Sequence, residues 1–388
     1  MDDTRICRKR KKKNNCGGGV VRTEWNVPEC VVVFKKWRTK EATEAALTLI
    51  NYLQVKLKNE LIIFMNYEKD EKNISVPNLE QYVSSEYVAD LIICVGGDGT
   101  VLYAASQFPG EIPPMLCFAM GSLGYMTAFE FKNYRWTLDR IFRPTTSSSE
   151  KTLLPFSLTR RVRLQVEIRR NIHNHRSGKA PQLLETDSCG ICVAKRYVVM
   201  NEVVCRGVDG NMVTLDAFVD GHHLTSVAAD GILVATPTGS TAYNLSAGGS
   251  IVEPSISAMM FTPICPHSLS FRPLLLPITS RMRLEVPIDA RTDTLVLFDG
   301  KDPVSLTRGD AIIIKSATHP LTLFDSSDGF DFIRGLKMKL NWNVRESQKP
   351  LGNQSHVISS SDASDEAPEI SLCSKGTETR IFESEEEK

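Results

Sequence analysis

The spacing of apolar residues along this chain changes near residue 150. Before that point, short continuous runs alternate with segments of helical period. Val31 to Phe34 and Leu61 to Phe64 read as strands buried on both faces, and between them Ala46, Ile50, Leu53 and Leu57 recur on one helix face. Residues 91–95 and Met115 to Ala119 add two more apolar strands, and Thr100 to Ala105 reads as a helix between them. Strands alternating with helices imply right-handed crossovers and predict an α/β domain with a doubly wound, Rossmann-like parallel sheet.

After the hydroxyl-rich stretch Thr145 to Ser149 the period becomes two. Val162, Leu164, Val166 and Ile168 alternate with Arg161, Arg163, Gln165, Glu167 and Arg169, and Met282, Leu284, Val286 and Ile288 repeat the pattern. Leu295 to Phe298 and Ala311 to Ile314 are apolar runs closed by Asp-Gly or polar turns. Helical periodicity is scarce here, so a second, mainly β domain is expected. The chain therefore divides into a disordered basic tail at 1–27, an α/β domain at 28–147, a mainly β domain at 148–331, a docking segment at 332–346 anchored by Phe332 and Trp342, and a disordered acidic tail at 347–388.

Composition narrows the function classes. With 388 residues, 42% of them hydrophobic, two ordinary domains can each bury a core. The formal net charge is zero, which gives no support to a nucleic-acid partner. No apolar stretch approaches the ~20 residues of a membrane span, and the charged start has no apolar leader core. A soluble, cytoplasmic protein is expected. Ten cysteines lie without a disulfide rhythm, Cys94 and Cys117 among them in apolar strands, and buried free thiols are the expectation. Cys189 and Cys192 form the one close pair, with no second pair to complete a zinc site and only His173 and His175 nearby, so no protein-bound metal is expected.

The chemistry centres on Ile92 to Thr100, where an apolar strand breaks into Gly96-Gly97-Asp98-Gly99. A strand-to-helix corner offers free main-chain amides and a positive dipole end to an anion, and glycines let a phosphate come close. The corner is not a Walker A loop, which needs Gly-Lys-Ser/Thr. Nor is it a dinucleotide fingerprint, whose third glycine would fall at Leu102. Asp98 would repel a phosphate, so it needs another task. It either caps the helix or orients, and accepts a proton from, a hydroxyl that attacks a phosphoryl group held by the surrounding amides. Gly121 to Gly124 follows the next strand and lies at the same edge of the sheet.

A second hydroxyl-rich and glycine-rich stretch runs from Asp230 to Gly249, with Thr236-Pro237-Thr238-Gly239-Ser240-Thr241-Ala242-Tyr243-Asn244-Leu245-Ser246 at its centre. Its hydroxyls and amides suit phosphates or sugar hydroxyls, and the face of Tyr243 suits a base. Asn201-Glu202 closes an apolar strand and supplies an amide beside a carboxylate, a pair able to read a ribose or an adenine edge. His222, His223 and His267 fit either a pocket lining or an ordinary surface.

Taken in order, the Gly96 to Gly99 corner, Gly121 to Gly124, Asn201-Glu202, Asp230 to Gly249 and Pro266 to Pro273 resemble the NAD kinase family over roughly residues 28–346. Trp342 to Arg345 resembles the close of the animal-type cytosolic members. The resemblance implies ATP-dependent phosphorylation of the adenosine 2′-hydroxyl of NAD, with a divalent cation, Mg²⁺, on the nucleotide phosphates. It implies Asp98 as the catalytic acceptor, Gly96, Gly97 and Gly99 beside phosphates, and Asn201, Glu202, Asp230, Thr241, Ala242, Tyr243, Asn244, Leu245 and Ser246 around the dinucleotide. Members are commonly homo-oligomers. Two rival readings share the corner or the pocket: a lipid kinase, for which the Asp230 to Gly249 stretch has no use, and a catalytically silent NADP-binding sensor, for which Asp98 has none.

Overall fold

The computed structural model describes residues 27–57, 61–67, 74–83, 87–142, 156–171, 185–186, 191–326 and 329–340. The expected tails, the Cys189 thiol and Trp342 lie outside the described residues, as does the side chain of Cys192.

The first domain is built from strands β1 (Cys30–Lys35), β2 (Ile62–Met65), β3 (Leu91–Gly96) and β4 (Met115–Ala119), with helices α1 (Lys40–Lys56), α2 (Leu79–Val83) and α3 (Asp98–Ser106) between them. The strands run parallel in the order β2-β1-β3-β4. All six residues of β1 and of β3 are buried, as central parallel strands covered on both faces require. Alternate residues of β1 face opposite layers. Val31 and Val33 pack with Ala45, Ala46, Leu49, Ile50 and Leu53 of α1, whereas Cys30, Val32 and Phe34 pack with Val101, Ala104 and Ala105 of α3. The sheet is therefore doubly wound. Its order reverses between β1 and β3, so the ligand crevice of such a sheet falls at the carboxyl ends of these two strands.

The second domain is a twelve-stranded antiparallel sheet around one apolar interior. Strands Ile191–Val199 and Thr294–Phe298 stand far apart in the strand order, yet the rings of Tyr197 and Phe298 stack at 3.8 Å. The sheet is thus curled until its ends meet, which gives it the closed core expected of a β domain.

The expected span 148–331 is not a single sheet. Ser157–Arg161 and Leu321–Asp325 pair with each other and join the first domain's sheet, Leu323 aligning in parallel with Met115 of β4. The alternating strand expected from Val162 to Ile168 begins at Leu164. Arg163, just before it, is buried and donates to three main-chain carbonyls, from Nε to His319 at 2.7 Å, from one Nη to Phe108 at 2.8 Å and from the other to Gly110 at 2.6 Å. Burial lowers this guanidinium to about 10, still charged at neutral pH. It locks the chain where it passes from one sheet to the other.

Cys94, Cys117 and Cys205 are buried free thiols, Cys30 is buried, and Cys265 is exposed. No helix among the described residues is long and apolar enough to cross a membrane.

Candidate active site

Asp98 is the first residue of α3, immediately after the carboxyl end of β3. Its amide and that of Gly99 sit in the first helical turn, where no carbonyl one turn earlier is available to them. The carboxylate is turned toward the loop after β4: one oxygen accepts the amide of Tyr125 at 3.0 Å, the other that of Met126 at 3.1 Å. Gly124 closes this contact, since a Cβ there would stand 1.9 Å from a carboxylate oxygen of Asp98. Gly96 is equally constrained, with a Cβ position 2.2 Å from Oγ1 of Thr100. Gly97 and Gly99 are different. Nothing lies within 4 Å of a Cβ at either position, so no internal packing explains their lack of a side chain. The open face above them is what a phosphate approaching the main chain needs.

The Tyr125 loop is in turn covered by the helix Asp331–Leu340. Phe332 meets the Tyr125 ring at 6.2 Å between centroids, and a Cβ on Gly335 would lie 3.2 Å from it. Burial, then the charge of Asp98, raises the Tyr125 hydroxyl above its ordinary pKa.

Asn201 and Glu202 lie at the turn between strands Ile191–Val199 and Glu202–Gly207. Thr236 fastens the second stretch to this turn: its amide donates to the Asn201 carbonyl at 2.8 Å and its hydroxyl to the Met200 carbonyl at 2.5 Å. Gly239 lies so close that a Cβ would meet the Asn201 carbonyl oxygen at 2.2 Å. After a 3-10 turn at Thr238–Thr241, the short helix Tyr243–Ser246 presents Tyr243 at 43% exposure beside half-buried Thr241, Ala242 and Leu245 and exposed Ser246.

Asn244 behaves otherwise. It is fully buried, accepts from the Thr262 hydroxyl at 2.7 Å and donates to the Ser250 carbonyl at 3.1 Å, so its side chain holds the loop together. Asp230 is exposed on its strand, between Ala229, paired with Pro266, and Gly231, paired with Ile264. His222, His223 and His267 are exposed.

Two features link the Asn201 turn and the neighbouring Asp299 hairpin to α3. Met200 belongs to the apolar cluster that contains Val101, Ala104 and Ala105, and the ammonium of Lys301 lies 5.7 Å from the Tyr103 ring. Lys301 follows Asp299-Gly300, a hairpin turn with φ of 48° and 73° that only small or Asx-type residues adopt readily. Asp299 was not singled out from the sequence, yet its carboxylate accepts the amides of Met200 at 2.8 Å, Asn201 at 2.7 Å and Glu202 at 3.1 Å. Its one sequence signal was the Asp-Gly turn closing Leu295 to Phe298. Among the described residues, no three His, Cys, Asp or Glu side chains converge to hold a metal ion.

The family model for the ATP-NAD kinase N-terminal domain matches residues 31–146, and that for the ATP-NAD kinase C-terminal domain matches residues 200–325. Together they span more than half of the chain. It belongs to the ATP-NAD kinase family. An ATP-NADH kinase of Saccharomyces cerevisiae is 38% identical over 292 residues, 73% of this chain and 55% of the relative. A chloroplastic NAD kinase of Arabidopsis thaliana is 41% identical over 264 residues, 68% of this chain and 25% of the relative. The crystal structure of yeast NADH kinase complexed with NADH superposes with a TM-score of 0.67 at 28% identity, covering 84% of this chain and 91% of that one. The chain thus spans about half or less of the length of these two curated relatives. Being fungal and plant proteins, they support membership of the ATP-NAD kinase family as a whole and not of its animal-type branch in particular.

Proposed function

We propose that this ATP-NAD kinase family member transfers the terminal phosphoryl group of ATP to the 2′-hydroxyl of the adenosine ribose of NAD, giving NADP. The observation that carries the reading is the setting of Asp98: a carboxylate at a glycine corner with open space over Gly97 and Gly99, tied through α3 and Met200 to the Asn201 turn. Phosphoryl transfer is loose and depends on alignment and charge neutralisation, so one carboxylate that orients the hydroxyl and takes its proton is sufficient local chemistry. Gly96, Gly97 and Gly99 flank the phosphates in this reading. Asn201, Glu202, Asp230, Thr241, Ala242, Tyr243, Leu245 and Ser246 hold the dinucleotide, and Asn244 contributes by fixing that segment's backbone. A divalent cation, Mg²⁺, carried on the donor's phosphates would screen their charge.

Cytoplasmic location, homo-oligomeric assembly and the animal-type affiliation drawn from Trp342 to Arg345 belong to the same proposal. A lipid kinase leaves the Asp230 to Gly249 segment without a task, and a silent sensor leaves Asp98 without one.

Purified protein is incubated with ATP and Mg²⁺ and either NAD or NADH, because the matched relatives are named for both. Product is read with an NADP-specific dehydrogenase. Asp98→Asn is expected to abolish turnover and keep dinucleotide binding; a surviving rate would remove Asp98 from its role.

A further inference from the structure

An exposed aromatic ring stands beside the glycine corner with no task in the site described above. Trp37 lies two residues past β1, at the carboxyl end where the sheet order reverses, and is 47% exposed. Its main chain is fixed by the Thr39 hydroxyl, which donates to the Trp37 carbonyl at 3.1 Å. The indole is 6.1 Å from the Tyr103 ring and inclined to it by 52°, so the two are not stacked on each other. Tyr103 is backed in turn by fully buried Phe34, edge to face at 6.0 Å.

Tyr103 gives the pair its direction. Gly99 and Tyr103 are one turn apart on α3 and therefore share a helix face. That face is the open one, with Gly99 exposed and Tyr103 half-buried, whereas Thr100, Val101, Ala104 and Ala105 are buried. Clear ground thus leads from the amides of the corner along α3 to two aromatic rings. Two lysines border it: exposed Lys36, whose Cβ is 3.3 Å from the Cβ position of Gly96, and Lys301 of the β domain, whose ammonium is 5.7 Å from the Tyr103 ring. Amides and cations followed by a flat apolar surface match a row of phosphates that ends in a heterocyclic base.

We propose that Trp37, with Tyr103 beside it, is the stacking platform for the base of the phosphoryl donor, so that a nucleoside triphosphate lies along the open face of α3 with its phosphates at Gly97 and Gly99. The proposal rests on the kinase reading for the use of such a donor. In that reading the acceptor already has an aromatic face in Tyr243, on the other domain, which leaves Trp37 to the donor.

The test compares ATP with inorganic tripolyphosphate, which carries the phosphates and lacks the base. Initial rates of the full chain give the KM for ATP and for NAD, and tripolyphosphate is titrated as a competitor of ATP. Trp37→Leu keeps apolar bulk without the aromatic face; it is expected to raise the KM for ATP about tenfold, with the tripolyphosphate inhibition constant and the KM for NAD unchanged. Trp37→Phe restores a ring and is expected to recover most of the loss. A Trp37→Leu enzyme with the wild-type KM for ATP overturns the platform. So does an equal rise for ATP and tripolyphosphate, which would mean that the corner itself had shifted, or a rise for NAD alone, which would give the ring to the acceptor. A wild-type chain that phosphorylates neither NAD nor NADH overturns the kinase reading instead, and calorimetric titration with ATP and tripolyphosphate then makes the same comparison on binding.

Discussion

Replacing Gly124 by alanine tests the placement of Asp98 without touching Asp98. The added Cβ would stand 1.9 Å from an Asp98 carboxylate oxygen, 2.7 Å from its carboxyl carbon and 2.5 Å from the Thr127 hydroxyl. Ordinary contact begins at 3.4 Å, so the carboxylate has to withdraw by about 1.5 Å. It cannot withdraw freely, because the Tyr125 and Met126 amides hold both of its oxygens. Losing one or both of these bonds costs about 1–3 kcal/mol of stability, read as a drop in Tm of roughly 2–10 °C. For catalysis, a displacement of this size costs about 10²-fold in kcat, or about 2.7 kcal/mol of transition-state stabilisation. The coupled NADP assay gives kcat and KM, calorimetry gives NAD affinity, and circular dichroism confirms folding. The expected pattern is a kcat loss with NAD affinity retained. A folded Gly124→Ala variant with kcat within about threefold of wild type would refute the reasoning, since the carboxylate would then act equally well from elsewhere.

Gly97→Ala and Gly99→Ala meet no atom within 4 Å and are expected to leave Tm unchanged while raising the KM for ATP, because the only thing their methyl groups can crowd is the ligand. Arg163→Lys keeps the charge but cannot reach the Phe108, Gly110 and His319 carbonyls together, and losing these charge-assisted bonds is expected to cost about 1.5–3 kcal/mol in urea denaturation. Glu202 gives stability a pH slope. Its folded pKa, about 8, exceeds the ordinary 4.5, so the native state holds the extra proton in that window and its contribution is lost as pH rises through it. The slope is at most about −1.4 kcal/mol per pH unit. Denaturation at pH 5.5 and 7.5 should show it in wild type and not in Glu202→Gln.

The strand-helix alternation before residue 150 was readable because central parallel strands are continuous apolar runs, and the observed β4 has the bounds of its apolar run, Met115 to Ala119. The glycine corner was readable as a strand-to-helix turn, but that Gly96 makes room for Thr100 and Gly124 for Asp98 emerges only from the folded contacts. Pattern could not show which sheet a later strand joins. Ser157–Arg161 and Leu321–Asp325 look like neighbours of the β domain in sequence, but their partners are fixed by tertiary pairing. The structural part of Asn244 was hidden for a related reason. An amide can serve a ligand or a loop equally well, and its bonds to Ser250 and to Thr262, on another strand, appear only in the folded chain. Asp299 acts across about a hundred residues, a separation at which a lone Asp-Gly signals nothing beyond its own turn.

The chain path explains how two domains can share one site with the precision that alignment-driven chemistry needs. Leu321–Asp325 returns to the first sheet, and Leu321 and Leu323 enter the same apolar cluster as Val101, Ala104 and Met200. The β domain is therefore entered from, and left to, the α/β sheet, with Arg163 pinning the point of departure. A domain held at both ends and by a shared core resists hinge motion at this seam. On the kinase reading, the acceptor ribose is held by one sheet and the phosphates by the other, so the separation of hydroxyl and phosphoryl group depends on the apolar cluster that Met200 shares with α3. Met200→Ala should then lower kcat more than it weakens the binding of either nucleotide alone, because each half-site survives and only their mutual alignment is loosened.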